Sequence, residues 1–241
     1  MLRVLDFDRR TDDVIDLPGS NWEPHWNPDG HRLAIRSMKG GQYDTYLLDL
    51  AGGPPKPLLV TDRDDMPEGW TPDGKFLLVR QATEKSTYPL YRMDPDHPES
   101  LTELVPGGDS FAVSPNTHWI ASISNRSGRS DLYVQPMSAN ARPQRVSSQG
   151  ATALAWSRKG QELFYARGTD IVAVTWREDQ GQFKVDKERV WATVKGMDAE
   201  SIFEATPDGR IIIDLPETPL PPSQIRVVFG WEKELARKFA K

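Results

Sequence analysis

The sequence predicts an all-β protein, and specifically a β-propeller of four-stranded blades. Three observations predict it. A segment of Pro-Asp-Gly type recurs at nearly constant spacing, apolar strand-like runs follow each copy, and the 241 residues include 18 Gly and 20 Pro without low-complexity stretches. Four short strands in a repeat of about 43 residues is the period of a propeller blade. We therefore expect each repeat to bury its apolar faces against neighbouring repeats.

The recurring segment occurs five times, and successive copies begin 44, 43, 43 and 49 residues apart. The copies lie at residues 26–30, 70–74, 113–117, 156–160 and 205–209. Pro presets φ at the first corner of a turn, Asp bonds the backbone ahead of it, and Gly accepts a positive φ. Each copy therefore predicts the tight turn between the first two strands of a blade.

Strand-like runs fill the remainder of each repeat. Inner strand pairs begin near residues 22, 66, 110, 152 and 201, third strands are predicted at 44–49, 88–93, 131–134 and 170–174, and fourth strands at 56–60, 103–105, 144–146 and 189–194. Residues 1–17 contain two further runs, 2–7 and 13–17, that read like a third and a fourth strand. We expect this pair to join the last inner pair, which would close the ring without exposed sheet edges.

The count of strand pairs favours five blades in a single domain, residues 1–241. A further strand-like run at 224–229 competes for the same neighbour, so six blades with one incomplete, or a truncated larger propeller, are the alternatives. Residues 231–240 carry apolar side chains at every fourth position and predict a short amphipathic helix at the C-terminus. Docking against the ring is the simpler role for this helix, and contact with a partner or a membrane surface is the alternative.

Three tryptophans, Trp26, Trp70 and Trp156, open copies of the recurring segment. Because one blade cannot bury both of its faces alone, we expect these side chains to pack between blades rather than to stack on a ligand.

Composition and motifs exclude several classes of protein. The net charge is −5, from 30 basic and 35 acidic residues, which does not favour a nucleic-acid partner. No apolar run approaches the ~20 residues of a membrane-spanning helix. The absence of cysteine excludes disulfides, thiolate metal sites and a cysteine nucleophile. The GxSxG, GxxxxGK[ST] and HExxH motifs are also absent, so we expect neither an enzyme nor a cofactor.

The candidate binding residues lie where the loops between blades and the loops between second and third strands share one face. Arg36, Arg80, Arg126, Arg129 and Arg167 are predicted to form a cationic rim there, facing an acidic partner or a peptide carboxylate. The alternative is ordinary charge pairing with Asp44, Asp131 and Asp170. His25 lies on an inner strand and is a candidate for the mouth of the central channel.

A metal site is not expected, because the four histidines are scattered. The densest carboxylate cluster, Asp62, Asp64 and Asp65, lacks the Gly and the distant Glu of a calcium-binding EF-hand loop. These three residues are the metal candidates, and a solvated loop is the simpler interpretation.

Two stretches carry a resemblance to a known family. Residues 23–34 (EPHWNPDGHRLA) and 66–77 (MPEGWTPDGKFL) resemble the TolB-like propeller repeat, P-x-W-S-P-D-G-K-x-L-A, whereas the third and fourth copies are degraded. Residues 225–235 are similar to the end of propeller segments attached to some bacterial Ser/Thr protein kinases. The resemblance implies a propeller, and such propellers serve as interaction modules, periplasmic envelope proteins, kinase sensor segments and gating domains of peptidases. It is specific for fold and nearly silent on function.

The sequence thus predicts a non-catalytic module that binds a protein or peptide and acts as a monomer. The alternatives are a propeller hydrolase or lyase with a site at the channel mouth, or a fragment of a larger receptor, kinase or peptidase. We expect a cytoplasmic protein if Met1 is the native start, and a periplasmic or extracytoplasmic one if the chain is part of a longer protein.

Overall fold

The structure is a computed structural model that describes residues 2–6, 10–15, 19–38, 41–84, 88–108, 110–138, 140–159, 161–198, 201–206 and 208–215. Within these ranges the chain forms 20 strands joined by turns, and no helix. No helix long and apolar enough to cross a membrane is found in them. The predicted strand at 224–229 and the predicted helix at 231–240 lie outside the described residues.

The strands form six antiparallel sheets in chain order. The N-terminal pair is β1 (Leu2–Asp6) with β2 (Thr11–Ile15). Sheet I contains β3 (Ser20–Trp26), β4 (Arg32–Met38), β5 (Tyr43–Asp49) and β6 (Lys56–Leu59), and sheet II contains β7 (Asp65–Trp70), β8 (Leu77–Gln81), β9 (Leu90–Asp94) and β10 (His97–Val105). Sheet III contains β11 (Ser110–Val113), β12 (Trp119–Ser124), β13 (Asp131–Pro136) and β14 (Gln144–Arg145). Sheet IV contains β15 (Leu154–Trp156), β16 (Glu162–Arg167), β17 (Asp170–Asp179) and β18 (Gln182–Thr193), and the C-terminal pair is β19 (Ile202–Ala205) with β20 (Ile211–Asp214).

Each sheet packs its apolar face against the next sheet along the chain. Leu33, Ile35 and Leu48 of sheet I bury against Leu2 and Val4 of the N-terminal pair. Separate apolar clusters join sheets I and II, sheets II and III, and sheets III and IV. A last cluster packs the C-terminal pair on sheet IV. This succession of neighbour contacts is the repeat architecture that the sequence predicts.

The recurring segments form the predicted tight turns between first and second strands. In four copies the fifth residue donates its backbone N–H to the carbonyl three residues earlier, as Gly30 does to Asn27 at 2.9 Å. Gly30 and Gly74 adopt φ values of 75° and 71°. In the third copy Thr117 takes this position at φ 61°, which is a strained conformation for a β-branched residue.

The three tryptophans do not share one environment. The Trp156 side chain is buried, and Trp70 is half-buried. Each donates its indole N–H to the preceding inner strand, Trp70 to the His25 carbonyl at 3.0 Å and Trp156 to the Ala112 carbonyl at 2.9 Å. The prediction that Trp26 is buried is wrong, because 49% of its surface is exposed. Among the described residues no inner strand precedes β3, which leaves about half of the Trp26 side chain exposed.

Closure of the ring stays a prediction. The N-terminal pair and the C-terminal pair each form a separate two-stranded sheet among the described residues, and no ladder of backbone hydrogen bonds joins them there. The number of blades therefore stays a prediction as well.

Candidate binding site at the ends of the inner strands

Two inner strands are bulged at similar positions. The ladder between β3 and β4 shifts register between Trp22 and His25, and the ladder between β7 and β8 shifts between Pro67 and Gly69. A bulge inserts an extra residue, bends the strand and re-aims side chains, and bulges are frequent next to functional sites. The extra residues include Glu23, which adopts a φ of 50° on β3, and Glu68 on β7.

The bulges place these carboxylates beside arginines on the second strands. Arg36 Nη2 lies 3.0 Å from Glu23 Oε1, and Arg80 Nε lies 3.1 Å from Glu68 Oε1. Arg36 is opposite Trp22 in its ladder and Arg80 is opposite Met66 in the next sheet, so the two arginines occupy equivalent positions of the repeat. We refer to Glu23, His25, Arg36, Glu68 and Arg80 as the charged cluster.

Both arginines of the charged cluster are held by further contacts. The Arg36 guanidinium lies over the Tyr43 ring, 4.6 Å from its centroid, and contacts the Met66 sulfur at 3.4 Å. The Arg80 guanidinium lies over the Phe111 ring at 4.9 Å and donates to the Gly108 carbonyl at 3.3 Å. Each arginine thus bridges from its own sheet to the next, and about four-fifths of each side chain is covered. Cation–π contacts and ion pairs of this kind fix the orientation of the planar guanidinium group.

The Nε atoms of the two arginines differ. Among the described residues the buried Arg36 Nε has no hydrogen-bond partner. Arg80 Nε lies 3.1 Å from Glu68 Oε1, so a carboxylate compensates its charge although the pair does not have hydrogen-bond geometry. A buried donor without an acceptor is costly, so Arg36 Nε lowers the stability of the charged cluster.

Burial sets the protonation states of the other members of the charged cluster. Burial lowers the pKa of His25, with Glu23 acting in the opposite direction, so the imidazole is neutral at pH 7. Burial also raises the pKa of Glu68, against the effect of Arg80. The charged cluster therefore combines two paired arginines, two carboxylates and a neutral imidazole, which can donate and accept hydrogen bonds to a polar ligand.

The other three predicted arginines lie outside the charged cluster, and each already contacts neighbouring side chains. Arg126 lies over the Tyr133 ring, 4.7 Å from its centroid, and donates to Ser124. Arg129 pairs with Asp131 at 3.3 Å. Arg167 contacts Glu188 at 3.1 Å and Asp170 at 3.8 Å. Arg129 and Arg167 thus follow the predicted alternative of ordinary charge pairing, whereas Arg126 contacts an aromatic ring and a hydroxyl. Arg36 and Arg80 pair with glutamates rather than with Asp44.

The sequence pattern does not single out Glu23 and Glu68. Glu23 precedes Pro and Glu68 precedes Gly, three and two residues before a repeat tryptophan, and Pro and Gly indicate an interrupted strand. The same residues also fit the repeat, so the pattern alone does not distinguish a bulge.

The three metal candidates lie at the loop between sheets I and II, and two of them accept hydrogen bonds that hold this loop. Asp62 is almost fully exposed, Asp64 accepts the Tyr43 N–H at 3.1 Å, and the buried Asp65 accepts from the Thr61 N–H at 2.9 Å and from Gln81 at 2.8 Å. Across the part of the chain that the structure describes, no group of three His, Asp or Glu side chains is arranged to hold a metal ion.

A cavity of about 640 Å³ opens on the opposite face, between the turns of sheets I and II. Its aspartates close turns by accepting local backbone N–H groups, Asp29 from His31, Asp73 from Lys75, and Asp94 from Asp96. The surface of this cavity is therefore polar, but these three carboxylates already accept hydrogen bonds from the protein's own backbone.

No protein-family model and no curated protein matches the sequence. Solved structures do match. The chain is similar to a putative TolB from Agrobacterium tumefaciens with a TM-score of 0.53 at 19% identity, over 90% of this chain and 98% of that one. It is similar to a chain of the Mitotic Checkpoint Complex with a TM-score of 0.58 at 14% identity, over 88% and 64%. It is also similar to an oligogalacturonate lyase in complex with manganese, with a TM-score of 0.51 at 16% identity, over 75% and 51%.

These similarities concern the fold, since proteins that share a propeller have unrelated activities. The fold is that of TolB-like β-propellers, as the sequence predicted.

Proposed function

We propose that the chain is a non-catalytic binding module and that its charged cluster receives a protein or peptide with acidic or carbonyl acceptor groups. One observation carries the proposal. Arg36 and Arg80 occupy equivalent positions on neighbouring sheets, and each guanidinium group is held over an aromatic ring while about a fifth of its side chain stays exposed. A carboxylate or peptide carbonyl at this surface would accept hydrogen bonds from the guanidinium groups.

The existing contacts make this arrangement suitable for recognition. The aromatic rings beneath Arg36 and Arg80 hold the guanidinium groups in place, so little side-chain freedom is lost on binding. The paired glutamates Glu23 and Glu68 reduce the net charge of the charged cluster, which favours an oriented polar ligand over any anion. The TolB-like fold supports a binding role only in general terms, because it hosts several functions.

A peptide library displayed on phage tests the proposal. Peptides selected on the full chain are synthesised, and their affinities are measured by calorimetry against Arg36→Gln, Arg80→Gln and a control, Arg177→Gln. Arg177 is also ion-paired, with Asp186, but lies on the β17–β18 hairpin. We expect each cluster variant to weaken binding at least about tenfold, the loss of one charge-assisted hydrogen bond, and the control to bind normally. Selection of no peptide, or equal binding by all variants, would contradict the proposal.

A lyase or hydrolase is the second candidate, and one observation favours it. The lowered pKa of His25 and the raised pKa of Glu68 are shifts in the directions that suit a general base and a general acid, and both residues belong to the charged cluster. The fold similarity to an oligogalacturonate lyase makes oligogalacturonate with and without manganese the first substrate to assay. Formation of unsaturated product by the native chain, and its loss in His25→Ala, would replace the binding proposal with this one.

A further inference from the structure

A tryptophan with an exposed ring lies beside the charged cluster. The Trp22 side chain is 40% exposed, and its ring meets the Tyr43 ring edge to face, with the centroids 5.7 Å apart. Trp22 is directly opposite Arg36 in the ladder between β3 and β4, so the two side chains lie on one face of sheet I. Because tryptophan is well buried on average, an exposed indole beside an arginine is a candidate ligand contact.

The surface around Trp22 continues onto the next sheet. The Arg36 guanidinium, which lies over the Tyr43 ring, also contacts the Met66 sulfur at 3.4 Å. Met66 occupies in sheet II the ladder position that Trp22 occupies in sheet I, since each is opposite an arginine of the charged cluster. We refer to Trp22, Tyr43 and Met66 as the apolar shelf. Tryptophan, tyrosine, methionine and arginine are residue types that protein interfaces favour.

The bulge in β3 brings Trp22 and Glu23 to the same arginine. Neighbouring residues of a regular strand point to opposite faces, but the register of β3 shifts after Trp22, and Glu23 adopts a φ of 50°. Glu23 therefore pairs with Arg36, which Trp22 opposes, while half of the glutamate side chain stays exposed. A left-handed conformation of a residue with a Cβ is strained, and such strain is frequent at ligand sites.

The rings of the apolar shelf carry donors without acceptors. No described residue accepts a hydrogen bond from the Trp22 indole N–H or from the Tyr43 hydroxyl. Trp70 and Trp156, in contrast, donate to strand carbonyls at 3.0 Å and 2.9 Å. A ligand that covers the apolar shelf must supply acceptors, because these donors would otherwise lose their water without replacement.

We infer that the apolar shelf receives a proline of an extended peptide, placed beside the acidic or carbonyl group that the charged cluster receives. The inference rests on the proposed function, because it specifies the residue that flanks the acceptor. Proline supplies an apolar ring, and its backbone adds a carbonyl but no N–H to a surface whose free groups are donors. Proline-rich segments are extended before they bind, and they dock on aromatic side chains with little loss of chain entropy.

Two other occupants fit the apolar shelf less well. A lysine or arginine of a partner would meet the Trp22 ring and the exposed half of Glu23, but Arg36 already pairs with this carboxylate at 3.0 Å and repels a second cation. A phenylalanine would cover the rings, but its side chain offers no acceptor and its backbone brings a further N–H.

Blocked peptides with alanines at both ends test the inference on the full chain. The probe contains Pro-Pro-Glu, and three matched probes contain Ala-Ala-Glu, Phe-Phe-Glu or Pro-Pro-Gln. Calorimetry measures the affinities, and NMR follows the indole N–H signals, among which Trp22→Phe identifies the signal of Trp22. We expect Pro-Pro-Glu to bind at least about tenfold more tightly than Ala-Ala-Glu and Phe-Phe-Glu, and to shift the Trp22 signal.

Trp191 provides the matched control for a tryptophan substitution. Its side chain is 43% exposed and its ring meets the Phe164 ring edge to face at 5.7 Å, but it lies on β18. Trp22→Ala should weaken the binding of Pro-Pro-Glu at least about tenfold, and Trp191→Ala should leave it unchanged. If Trp22→Ala folds poorly, Trp22→Phe replaces it, and loss of the indole N–H should still weaken binding.

The outcomes separate this inference from the proposed function. Equal binding of Pro-Pro-Glu and Ala-Ala-Glu, tighter binding of Phe-Phe-Glu, or equal affinities of Trp22→Ala and Trp191→Ala would overturn the inference, while weaker binding by Arg36→Gln would still support the charged cluster. No binding of any probe at millimolar concentration would overturn both. Equal binding of Pro-Pro-Glu and Pro-Pro-Gln, with Arg36→Gln unaffected and Trp22→Ala weakened, would overturn the proposed role of the charged cluster and support that of the apolar shelf.

Discussion

At the scale of single residues, two buried aspartates near the starts of third strands have opposite effects on stability, because their hydrogen-bond partners differ. Asp131 is fully buried and accepts hydrogen bonds from Ser127, Ser147 and the Gly150 N–H, with Arg145 paired to it at 2.5 Å. Asp44 is the second residue of the third strand of sheet I and is also buried, yet its Oδ1 atom has no hydrogen-bond partner among the described residues. The hydrogen-bonded carboxylate of Asp131 holds its loop in place, whereas the incompletely bonded carboxylate of Asp44 lowers the stability of the folded protein.

The pKa shifts of the two groups have opposite signs. The pKa of Asp131 is lowered because the hydrogen bonds from Ser127, Gly150 and Ser147 outweigh the cost of burial. Burial raises the pKa of Asp44, and the nearby carboxylates of Asp65 and Asp64 raise it further. The stability that Asp131 contributes is therefore present above its unfolded pKa and is lost as pH falls through its lowered folded pKa. For Asp44 the sign reverses, and stability rises as pH falls through its raised folded pKa.

We predict that Asp44→Asn stabilises the protein at pH 7 by about 1 kcal/mol, since it removes an unpaired buried charge. The matched variant, Asp131→Asn, should destabilise it by about 3 kcal/mol, since it breaks a buried ion pair. Urea unfolding of both variants and the native chain at pH 7 and pH 4 measures the effect. The gain from Asp44→Asn should shrink at the lower pH, because the raised pKa of Asp44 means that more of the native carboxyl is protonated there. Loss of stability in Asp44→Asn at pH 7 would show that the charged carboxylate at this position stabilises the fold.

At the scale of elements, the turn of the third repeat shows a local strain. Thr117 takes the position that Gly30 and Gly74 occupy in intact copies, at φ 61°. A residue with a Cβ costs roughly 1–2 kcal/mol in this left-handed conformation, and glycine costs almost nothing there.

We predict that Thr117→Gly stabilises the protein by about 1 kcal/mol, the strain relieved less the entropy that glycine adds to the unfolded chain. The control is Thr117→Ala, which also loses the hydroxyl contact to the Asn116 carbonyl but keeps the Cβ. Thermal melting of the three proteins separates the two effects. Equal stability of the Gly and Ala variants would mean that the hydroxyl, and not the backbone, sets the energy of this turn.

Most elements were predictable because their signals are local. The turn residues and the alternation of apolar positions predict the turns and most strands of sheets I to IV, and Trp156 lies in the core as predicted. The fourth strands of sheets II and IV are longer than predicted, because β10 begins at His97 rather than near 103 and β18 begins at Gln182 rather than near 189. The environment of Trp26 was not predictable in this way, because its burial depends on a strand that would come from the far end of the chain. Glu23 and Glu68 were missed because a bulge appears only when the register of two strands is known.

At the scale of the whole molecule, the neighbour-to-neighbour packing determines how stability is shared. In a row of sheets, removing an end affects mainly the adjacent sheet, because each sheet contacts only its neighbours. In a closed ring, every sheet has two neighbours and removal of one strand pair opens the structure. The contacts of the N-terminal pair distinguish the open row from the closed ring. The pair covers Leu33 and Leu48 in either arrangement, but it contacts β20 only in the ring.

We therefore predict that deleting residues 2–15 lowers the free energy of unfolding by at least about 3 kcal/mol, from the apolar area of Leu2, Val4 and Ile15 alone. The full-length variant Leu2→Ser with Val4→Ser keeps the strand backbone, so its loss of stability measures only the packing of these two side chains on sheet I. If β1 joins β20, the deletion should cost more than the double substitution and should turn a single melting transition into a broader one, because the ends of the row then unfold separately. Calorimetry with guanidinium titration measures both quantities. A deletion that melts as cooperatively as the native chain, with an unchanged midpoint, would show that the N-terminal pair supports neither sheet I nor the ring.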